Sequence, residues 1–573
     1  MPLPIVQRAP VIAHAAQAQQ VLVAGGINRH VAQALATRGV DRVQHATGAY
    51  GLEHYKSLKG LENFTQILAD AIEKGQPLMV VADYDCDGAT ACTVAYTGLK
   101  ALGAKVDYLV PNRFIHGYGL TPSVVDLVAE ARPRPQWIIT VDNGIASIDG
   151  VKAANALGIG VLVTDHHLPL PSGELPDAAA IVNPNQPGCT FPSKNLAGVG
   201  VMYYVLAATR DLLIRRGKLV NAVELGHWLD VVALGTVADV VKLDPNNRWL
   251  VRKGLARIRA GHARPGVRAL FDISNRPIVR ASSQDFGFSV GPRINAAGRL
   301  EDMTIGIRCL VSQNDEVADN IAQELFDLNE RRKEIERGMK DDAVEDIDLS
   351  GQEGCFTRVV FGEAYHEGVI GIVAGRIKEE ANTPVVAFAP AEDGIHLKGS
   401  ARSIPGLHLR DALDLVHKRG DNLLVKFGGH AMAAGMTLKR ENLDRFKTLF
   451  EQVVHELMGG ELQQKVLTVD GELPDAAITV DTAEALADQP WGQGFEVPIW
   501  TGEFTIVDAR LVGKERNHLK MTVERNGQRY SAMQFFTTEE PDQAHVLLAY
   551  QLSVNEFRGN RSADLIVVDR RNA

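Results

Sequence analysis

The stretch Val80-Val81-Ala82-Asp83-Tyr84-Asp85-Cys86-Asp87-Gly88-Ala89-Thr90 joins a short apolar run to three alternating aspartates. The run from Leu78 to Ala82 predicts a buried strand, and alternate residues of an extended segment project to the same side. Converging carboxylates repel one another unless cations neutralise them, so the motif predicts a metal site at a strand end. A solvated acidic loop and a helix N-cap stay open as alternatives. An EF-hand is disfavoured because Val94 occupies the position where that loop needs a glutamate.

Further acidic residues and histidines follow other apolar runs. Trp137 to Val141 precedes Asp142 in an Asp-Asn-Gly turn, and Val161 to Thr164 precedes Asp165-His166-His167. Short apolar runs separated by helical patterning predict a parallel sheet, whose carboxyl edge is where such folds place ligands. Asp239 lies inside an apolar stretch, where a carboxylate needs a partner such as a metal. A plain turn at Asp142 and a helix cap at Asp239 remain the alternatives.

The chemistry of this set indicates a particular kind of metal. Aspartates dominate it, histidine is present and cysteine is absent. Such ligands favour Mn²⁺, with Mg²⁺ as the second choice, and disfavour a thiolate zinc site. There are enough carboxylates to hold two ions about 3.5–4 Å apart, the spacing used for phosphoester hydrolysis.

The bulk composition sets outer limits. A chain of 573 residues predicts three or four domains. The net charge of −10 argues mildly against a nucleic-acid partner, so local clusters of basic residues become important. The five cysteines form no CxxC pair, no run approaches the ~20 apolar residues of a membrane helix, and the N-terminus lacks the pattern of a secretory signal. These features predict a cytoplasmic protein that makes no use of a membrane.

The pattern of apolar residues and turn signals changes along the chain and predicts an α/β protein in four parts. Residues 315 to 346 have the spacing of one long helix, and alternating stretches with an Asn526-Gly527 turn predict a C-terminal barrel, for which an OB-fold is the best guess. The predicted parts are an N-terminal segment with the parallel-sheet domain (1–255), a linker with the long helix (256–350), a smaller α/β domain (351–460) and the barrel (461–573).

The order of the motifs resembles a known family. Asp-Tyr-Asp-Cys-Asp-Gly, Asp-Asn-Gly, Asp-His-His and Gly-Thr-Val-Ala-Asp follow one another as in the DHH phosphoesterase superfamily, and the first motif fits its nuclease branch. Val81 occupies the position where the pyrophosphatase branch has a histidine. The resemblance implies two Mn²⁺ ions bridged by Asp142. It also implies three catalytic residues, His167 near the scissile phosphate and Asp83 and Asp165 next to the residues that hold the ions. The ion-holding residues it implies are Asp85, Asp87, Asp142, His166 and Asp239.

Four further strings extend the resemblance over nearly the whole chain. Gly428 to Gly435, His366 to Arg376 and Lys398 to Ser403 resemble the DHH-associated domain, and Gly291 to Arg299 resembles a linker of the nuclease branch. Arginines and glycines in such segments can grip phosphate, although surface ion pairs and tight packing are the alternatives. The residues predicted to bind DNA or its 5′ phosphate are Arg113, Tyr118, Arg293, Arg299, Arg376, Ser400, Arg402, Gly429 and His430.

The resemblance as a whole implies a 5′-to-3′ exonuclease. It would hydrolyse single-stranded DNA to mononucleotides in recombination and repair, as a monomer that works with a helicase and a single-strand-binding protein. One alternative is a small-nucleotide or cyclic-dinucleotide phosphodiesterase, which would resemble only the first two domains. The other is an inactive scaffold, which is disfavoured because every expected ligand is present.

Overall fold

The computed structural model describes residues 3–170, 172–219, 223–349, 354–461, 464–557 and 559–573. The chain forms two compact units. Unit 1 contains Met1–Gly298, Asp302–Leu325 and Leu467–Ala573, and unit 2 contains Arg299–Glu301 and Phe326–Val466. The finer division into four ranges stays a prediction.

A parallel five-stranded sheet forms the centre of unit 1 and confirms the predicted α/β class. Its central strands are almost fully buried, which explains why they are continuous apolar runs in the sequence. In spatial order the strands are Lys105–Leu109, Pro77–Ala82, Trp137–Val141, Gly160–Thr164 and Ala180–Val182.

Helices flank this sheet and continue into the linker. A π-helical turn, Phe286–Val290, interrupts the linker, and short 3₁₀ turns occur at Tyr55–Ser57, Leu225–Trp228 and Ile278–Arg280. The α-helices of this part are Ala15–Ala24, Arg29–Thr37, Val43–Thr47, Leu61–Glu73, Cys86–Ala101, Arg113–His116, Pro122–Glu130, Ile148–Ala156, Gly198–Arg215, Leu229–Ala238, Pro245–Arg259, Pro265–Ile273, Ser283–Asp285, Gly291–Leu300 and Thr304–Val311.

The C-terminal part of unit 1 is a closed five-stranded barrel, as predicted. Asn526 and Gly527 both have positive φ, as the tight hairpin turn between two of its strands requires. The segment before the barrel holds the strand Leu467–Val469, which pairs with Ile5–Gln7, and the helix Val480–Ala487. Around the barrel the strands are Trp500–Val512, His518–Arg525, Gln528–Phe535, Asn560–Asn572 and His545–Phe557.

Unit 2 is a smaller α/β domain, and the helix Asp315–Leu349 begins in unit 1 and ends in unit 2. One face of its sheet packs on the helices Leu409–Arg419 and Leu443–Leu457, and part of the other face packs on Ile370–Ala381. In spatial order its strands are Leu424–Gly429, Ala433–Lys439, His396–Arg402, Val385–Pro390 and Arg358–Phe361. Within the described ranges, no helix combines the length and the apolar character that crossing a membrane requires.

A buried ion pair fastens the N-terminal helices to the segment that leads into the barrel. Arg38 donates from Nη1 and Nη2 to the two carboxylate oxygens of Asp470, at 2.6 and 3.0 Å, and both side chains are almost inaccessible to solvent. Arg38 Nε also donates to Glu496 O at 2.8 Å, and Asp470 accepts from Ile499 N at 3.1 Å. Because the pair is buried with its hydrogen bonds satisfied, removing one partner leaves an uncompensated charge.

We therefore expect Asp470→Asn to destabilise unit 1 by about 3–5 kcal/mol, the usual cost of breaking a buried ion pair. Thermal denaturation followed by circular dichroism measures the loss. Asp488→Asn is the matched control, because Asp488 is exposed and pairs with Arg252 and Arg259 at the surface. Equal melting temperatures for the two variants would contradict the assignment.

Candidate functional site

The predicted acidic residues form a row along one edge of the parallel sheet. The strand register aligns Ala82 with Val141, Val141 with Thr164, and Thr164 with Val182. The strand Pro77–Ala82 has the next two strands of the chain on its opposite sides, and this switch in strand order is where parallel α/β folds bind ligands. The residues that directly follow the aligned positions are Asp83, Asp142, Asp165 and Asn183.

His166 is the point at which the aspartates converge. Its Nε2 lies 3.1 Å from Asp142 Oδ1, 3.4 Å from Asp239 Oδ2 and 4.0 Å from Asp87 Oδ2. Asp239 comes from a helix end more than seventy residues further along the chain, so tertiary folding completes the cluster.

The candidate ligand atoms fall into overlapping groups, and Asp142 belongs to two of them. Within each group the atoms all lie within 4.8 Å of one another. The groups are Asp83 with Asp85 and Asp142, Asp87 with His166 and Asp239, and Asp142 with His166 and His167. The structure thus brings together all five predicted ion-holding residues and places Asp83 among them.

The site has the properties of an acceptor for divalent cations. Asp142 Oδ1, His166 Nε2 and Asp239 Oδ2 are buried and have no hydrogen-bond partner among the described residues. Burial and the neighbouring aspartates raise the pKa of Asp142 and of Asp239 well above the usual range, and burial and Asp85 raise the pKa of Asp87 to about 7. Converging carboxylates therefore resist ionisation until a cation joins them.

His166 meets the requirement for a neutral imidazole ligand. Burial, with a further contribution from the charge of His167, lowers the pKa of His166 to about 4. The ring is therefore neutral at physiological pH and keeps a lone pair on one nitrogen. An aspartate-rich set with one imidazole suits divalent metal ions that prefer oxygen ligands.

Two helices hold the first motif by their N-termini. Asp85 caps the helix Cys86–Ala101 and accepts from Gly88 N at 2.9 Å, so the N-cap alternative is true of Asp85 in addition to its place in the acidic cluster. Asp87 accepts from Gly198 N at 2.5 Å and Val199 N at 3.0 Å, at the start of the helix Gly198–Arg215. The partial positive charge of a helix N-terminus offsets part of the negative charge on Asp87.

Close approach of the backbone explains a glycine that sequence reasoning missed. A Cβ on Gly198 would lie 2.5 Å from Asp142 Oδ1, so a larger residue would displace this aspartate. The string Ala197-Gly198-Val199 has no polar or ionisable side chain that would mark it as functional, so its role is visible only in the fold.

Backbone strain marks two positions at the site. Asp142 has φ 63°, and Val240, directly after Asp239, has φ 60°. A β-branched residue rarely adopts this conformation, which costs on the order of 1–3 kcal/mol and persists mainly where the surroundings enforce it. Asp142 belongs to the cluster of aspartates and histidine described above, and Val240 adjoins it.

Asp165 organises the histidine pair. It accepts from Ile145 N at 2.8 Å, His166 N at 2.7 Å, His167 N at 3.0 Å and His167 Nδ1 at 2.8 Å. Burial opposes a charge on His167, but its hydrogen bond to Asp165 and the nearby aspartates raise the pKa of His167 to about 9. In the cation-free cluster His167 is therefore a cationic donor at neutral pH, and the hydroxyl of the half-exposed Tyr118 lies 3.4 Å from its ring.

Two asparagines outside the predicted set also hold the loop Asp165-His166-His167. Asn183 Nδ2 donates to His167 O at 2.9 Å, and Asn185 Nδ2 donates to His166 O at 2.6 Å. Asn183 follows the strand Ala180–Val182 as the aspartates follow theirs, and that position was the available signal.

The linker string Gly291 to Arg299 packs directly on the first motif. Asn295 Oδ1 accepts from Cys86 N at 2.8 Å, and a Cβ on Gly298 would lie 1.9 Å from Tyr84 O. Arg293 is buried and donates to Ser289 O, while Arg299 donates to Gly368 O at 3.2 Å within unit 2. The side chain of Arg113 lies outside the described residues.

A separate cationic pocket occurs in unit 2. Arg402 Nη1 donates to Ser400 Oγ at 3.1 Å, and no acidic partner for Arg402 occurs among the residues described. Burial lowers the pKa of Arg402. A Cβ on Gly371, in the first turn of the helix Ile370–Ala381, would lie 2.8 Å from Arg402 Nη2, so the start of this helix adjoins the guanidinium. A guanidinium without a carboxylate beside a helix N-terminus is suited to an anion.

Bare backbone lies next to this pocket. The register places Gly428, Gly435 and Ser400 side by side on neighbouring strands. A Cβ on Gly428 would meet nothing within 4 Å, and one on Gly435 would meet only Gly399 O, at 3.9 Å. Neither has a positive φ, so neither the backbone conformation nor the packing requires glycine here, and the open strand surface leaves room for a ligand to approach the backbone.

Three other predicted residues of unit 2 have varied surroundings. Gly429 has φ 147°, and a Cβ there would lie 2.4 Å from Ala433 O, so the fold itself requires this glycine. His430 is exposed and donates from its backbone N to Ala433 O at 2.8 Å. Arg376 pairs with Glu336 at 3.1 Å, which is the surface ion pair left open as the alternative.

Three family models match the chain. The N-terminal domain of the DHH family matches residues 77–236, the DHHA1 domain matches residues 352–456, and the RecJ OB domain matches residues 469–569.

Relatives match over nearly the full length. The single-stranded-DNA-specific exonuclease RecJ of Salmonella typhimurium is 46% identical over 550 residues, which cover 93% of this chain and 94% of that protein. The protein of the same name from Escherichia coli is 45% identical over 548 residues, with the same coverage of 93% and 94%. The one from Thermus thermophilus is 30% identical over 558 residues, which cover 97% of this chain and 77% of that protein.

Solved structures agree with these matches. RecJ from Thermus thermophilus in complex with Mn²⁺ has a TM-score of 0.81 and 28% identity, covering 100% of this chain and 79% of that one. The complex of that protein with Mg²⁺ has a TM-score of 0.76 and 26% identity, covering 100% of this chain and 78% of that one. Because the relatives from Salmonella typhimurium and Escherichia coli are 46% and 45% identical over 93% of this chain and 94% of theirs, the protein belongs to the RecJ family of DHH proteins.

Proposed function

We propose that this protein is a metal-dependent exonuclease that hydrolyses single-stranded DNA from the 5′ end to mononucleotides, in DNA recombination and repair. The observation that carries the proposal is the convergence of three buried, unpartnered ligand atoms, on Asp142, His166 and Asp239, at the carboxyl edge of the sheet. The relatives named above are single-stranded-DNA-specific exonucleases, which supports the choice of substrate.

Two divalent ions, with Mn²⁺ preferred, would occupy the cluster. Asp142 belongs to two of the ligand groups, which supports a bridging role for it. When bound, the ions would supply Lewis acidity and positive charge at the phosphoryl oxygens and an activated water. The residues proposed to hold them are Asp85, Asp87, Asp142, His166 and Asp239.

The residues of the chain have distinct tasks in the proposed hydrolysis. His167, whose Nδ1 is held by Asp165 at 2.8 Å, would donate a hydrogen bond from Nε2 to a non-bridging phosphate oxygen, where negative charge develops in the transition state. Asp165 acts through His167 and fixes the orientation of its ring. Tyr118 is half exposed beside His167 and offers a ring on which a base can stack.

The proposed 5′ polarity rests on the pocket of unit 2. A terminal phosphate carries more negative charge than an internal diester, and Arg402, Ser400 and the bare backbone of Gly428 and Gly435 form a matching surface. Held there, a 5′ phosphate would select the end from which the strand is degraded.

The barrel provides a surface for unpaired bases. His518 lies 5.3 Å from the rings of Phe535 and Phe536, and these phenylalanines are 46% and 85% exposed. Exposed aromatic rings on an OB-type barrel bind single strands by base stacking. A phosphodiesterase for small nucleotides would have no use for this surface, which disfavours that alternative.

The first prediction concerns metal binding and pH. Without cations, the raised pKa of Asp87, about 7 against 3.8 in the unfolded chain, means that ionisation is penalised in the folded state, so stability falls as pH rises from about 4 through 7. We expect Mn²⁺ to raise the melting temperature relative to EDTA, and by more at pH 8 than at pH 5.5. Differential scanning fluorimetry measures both.

In the double variant Asp142→Asn/Asp239→Asn, the rise in melting temperature on addition of Mn²⁺ should be smaller at every pH, because two ligand carboxylates are gone. A Mn²⁺ effect that is independent of pH, or unchanged in this variant, would refute the cation cluster.

The second prediction concerns cleavage. Asp142→Asn should lower the rate of mononucleotide release from a labelled oligonucleotide by about 10²–10³-fold or more, while DNA binding persists. Asp149→Asn, an exposed aspartate in the first turn of a helix, is the control and should retain full activity.

A dinucleotide assayed in parallel distinguishes the competing activities. Activity confined to the dinucleotide favours the small-nucleotide phosphodiesterase. Normal cleavage by Asp142→Asn removes the proposed bridging role.

The third prediction separates binding from folding. Gly435→Ala meets no steric obstacle and should leave stability unchanged or raise it by about 0.5–1 kcal/mol. It should nevertheless weaken the preference for a 5′-phosphorylated over a 5′-hydroxyl oligonucleotide, because the methyl group occupies the phosphate surface. Gly394→Ala is the control, because Gly394 has a positive φ of 67° in a turn of the same unit. This variant should be less stable than wild type but keep the same preference for the 5′-phosphorylated oligonucleotide.

A further inference from the structure

One turn of the linker presents a phenylalanine to solvent beside the aspartate cluster. The π-helical turn Phe286–Val290 buries Phe286, Ser289 and Val290, whereas Phe288 is 83% exposed. Turns of this kind are rare and are frequently found at functional sites. The ring of Phe288 therefore has a large apolar surface that no part of the described chain covers.

Contacts on its buried side hold this turn in place. The turn packs on the helix Leu229–Ala238, which ends at Asp239. A Cβ on Gly291, directly after the turn, would lie 3.1 Å from the Cβ of Ala238. Arg293 is buried and donates from Nη1 to Ser289 O, so this predicted DNA ligand braces the turn from inside.

A second exposed apolar side chain lies at the end of the same helix. Val240 directly follows Asp239, has a φ of 60° and is 62% exposed. A left-handed backbone is costly for a β-branched residue, and an exposed side chain contributes little burial to offset that cost. We call Phe288 and Val240 the platform, and both belong to elements that position Asp239.

The chain on both sides of the platform is tied to the C-terminal part of unit 1. Leu243, three residues after Val240, donates from its backbone N to Gln493 O at 2.9 Å, in the segment before the barrel. Arg280, eight residues before Phe288, pairs with Glu556 on a barrel strand. The two connecting segments therefore run from the aspartate cluster to the barrel, and the platform lies between them and the cluster.

A strand that leaves the cluster for the barrel would pass the platform. In the proposed function the 5′ phosphate is held by unit 2 and the barrel binds the remaining strand, so the nucleotides on the barrel side are 3′ of the scissile phosphate. Two apolar side chains fit a base better than a phosphate. Stacking on an aromatic ring is also independent of sequence, because every base has a π-face.

We propose that Phe288 binds the substrate by stacking on a base 3′ of the scissile phosphate, with Val240 in contact with the same base. This inference rests on the proposed function. Holding that base fixes the phosphodiester next to it over the aspartate cluster, so loss of the ring should slow cleavage without changing the fold.

Single-turnover cleavage by the full-length protein in Mn²⁺ tests the stack. The substrates are a 5′-phosphorylated oligothymidylate and versions of it in which the second, third, fourth or fifth nucleotide lacks its base. We expect one of these abasic positions to slow release of the first mononucleotide by wild type about tenfold, the scale of one lost base stack. That position identifies the nucleotide on the platform.

Phe288→Ala should slow cleavage of the intact oligonucleotide by a similar factor and lose nothing further at that abasic position, because the stack is already missing. Phe288→Trp should keep both the wild-type rate and the abasic effect. Tyr50→Ala is the matched control, since it removes another exposed aromatic ring of unit 1, and it should behave as wild type. The melting temperature of Phe288→Ala should equal that of wild type, because the ring is exposed.

Three results would overturn the platform. They are a wild-type rate in Phe288→Ala, an abasic effect of the same size in this variant and in wild type, and a wild type that is insensitive to every abasic position. In each case normal degradation of the intact oligonucleotide by wild type leaves the proposed exonuclease activity standing. If wild type does not degrade it from the 5′ end, the proposed function fails and the platform fails with it.

Discussion

Buried carboxylates that repel one another are held together at the centre of unit 1, and the neighbouring elements are arranged around them. Asp87 and Asp142 are almost completely excluded from solvent, and they face Asp239 across the side chain of His166. Such a cluster is unfavourable by itself, because burial and like charge both oppose ionisation. Divalent cations reverse the balance, so the arrangement is stable in the form in which it can act on phosphate.

The surrounding elements are organised to keep these acids in place. A helix N-terminus holds Asp87, four donors hold Asp165, and Gly198 allows a helix to approach Asp142 closely. The left-handed backbones of Asp142 and Val240 show that the fold tolerates local strain to aim the carboxylates. Asp165, fixed by these donors, raises the pKa of His167 through its hydrogen bond to Nδ1, whereas burial and the charge of His167 lower the pKa of His166.

The unit 2 sheet presents the opposite chemistry. Its open face combines Arg402, which has no acidic partner among the described residues, with glycines that neither backbone geometry nor packing requires. Glycine within a strand weakens the fold by roughly 0.5–1 kcal/mol relative to alanine, so Gly428 and Gly435 keep this face open at a cost in stability, as the proposed phosphate site requires. The net charge of −10 thus conceals a local distribution in which acids gather at the cation site and unpaired cations line a separate surface.

Patterns in the sequence were enough to predict the parallel sheet, the long helix and the barrel, because strand burial, helical spacing and turn chemistry are local and periodic. The members of the acidic cluster followed from the order of the motifs and the family resemblance they carry. It could not supply Gly198, Asn183, Asn185 or Asn295, whose roles depend on contacts between distant segments. It also could not separate Gly429, which the backbone requires, from Gly428 and Gly435, which it does not, or show that Arg376 forms an ion pair. These features emerge on folding, because strand register, close backbone approach and charge pairing depend on which distant segments meet in space.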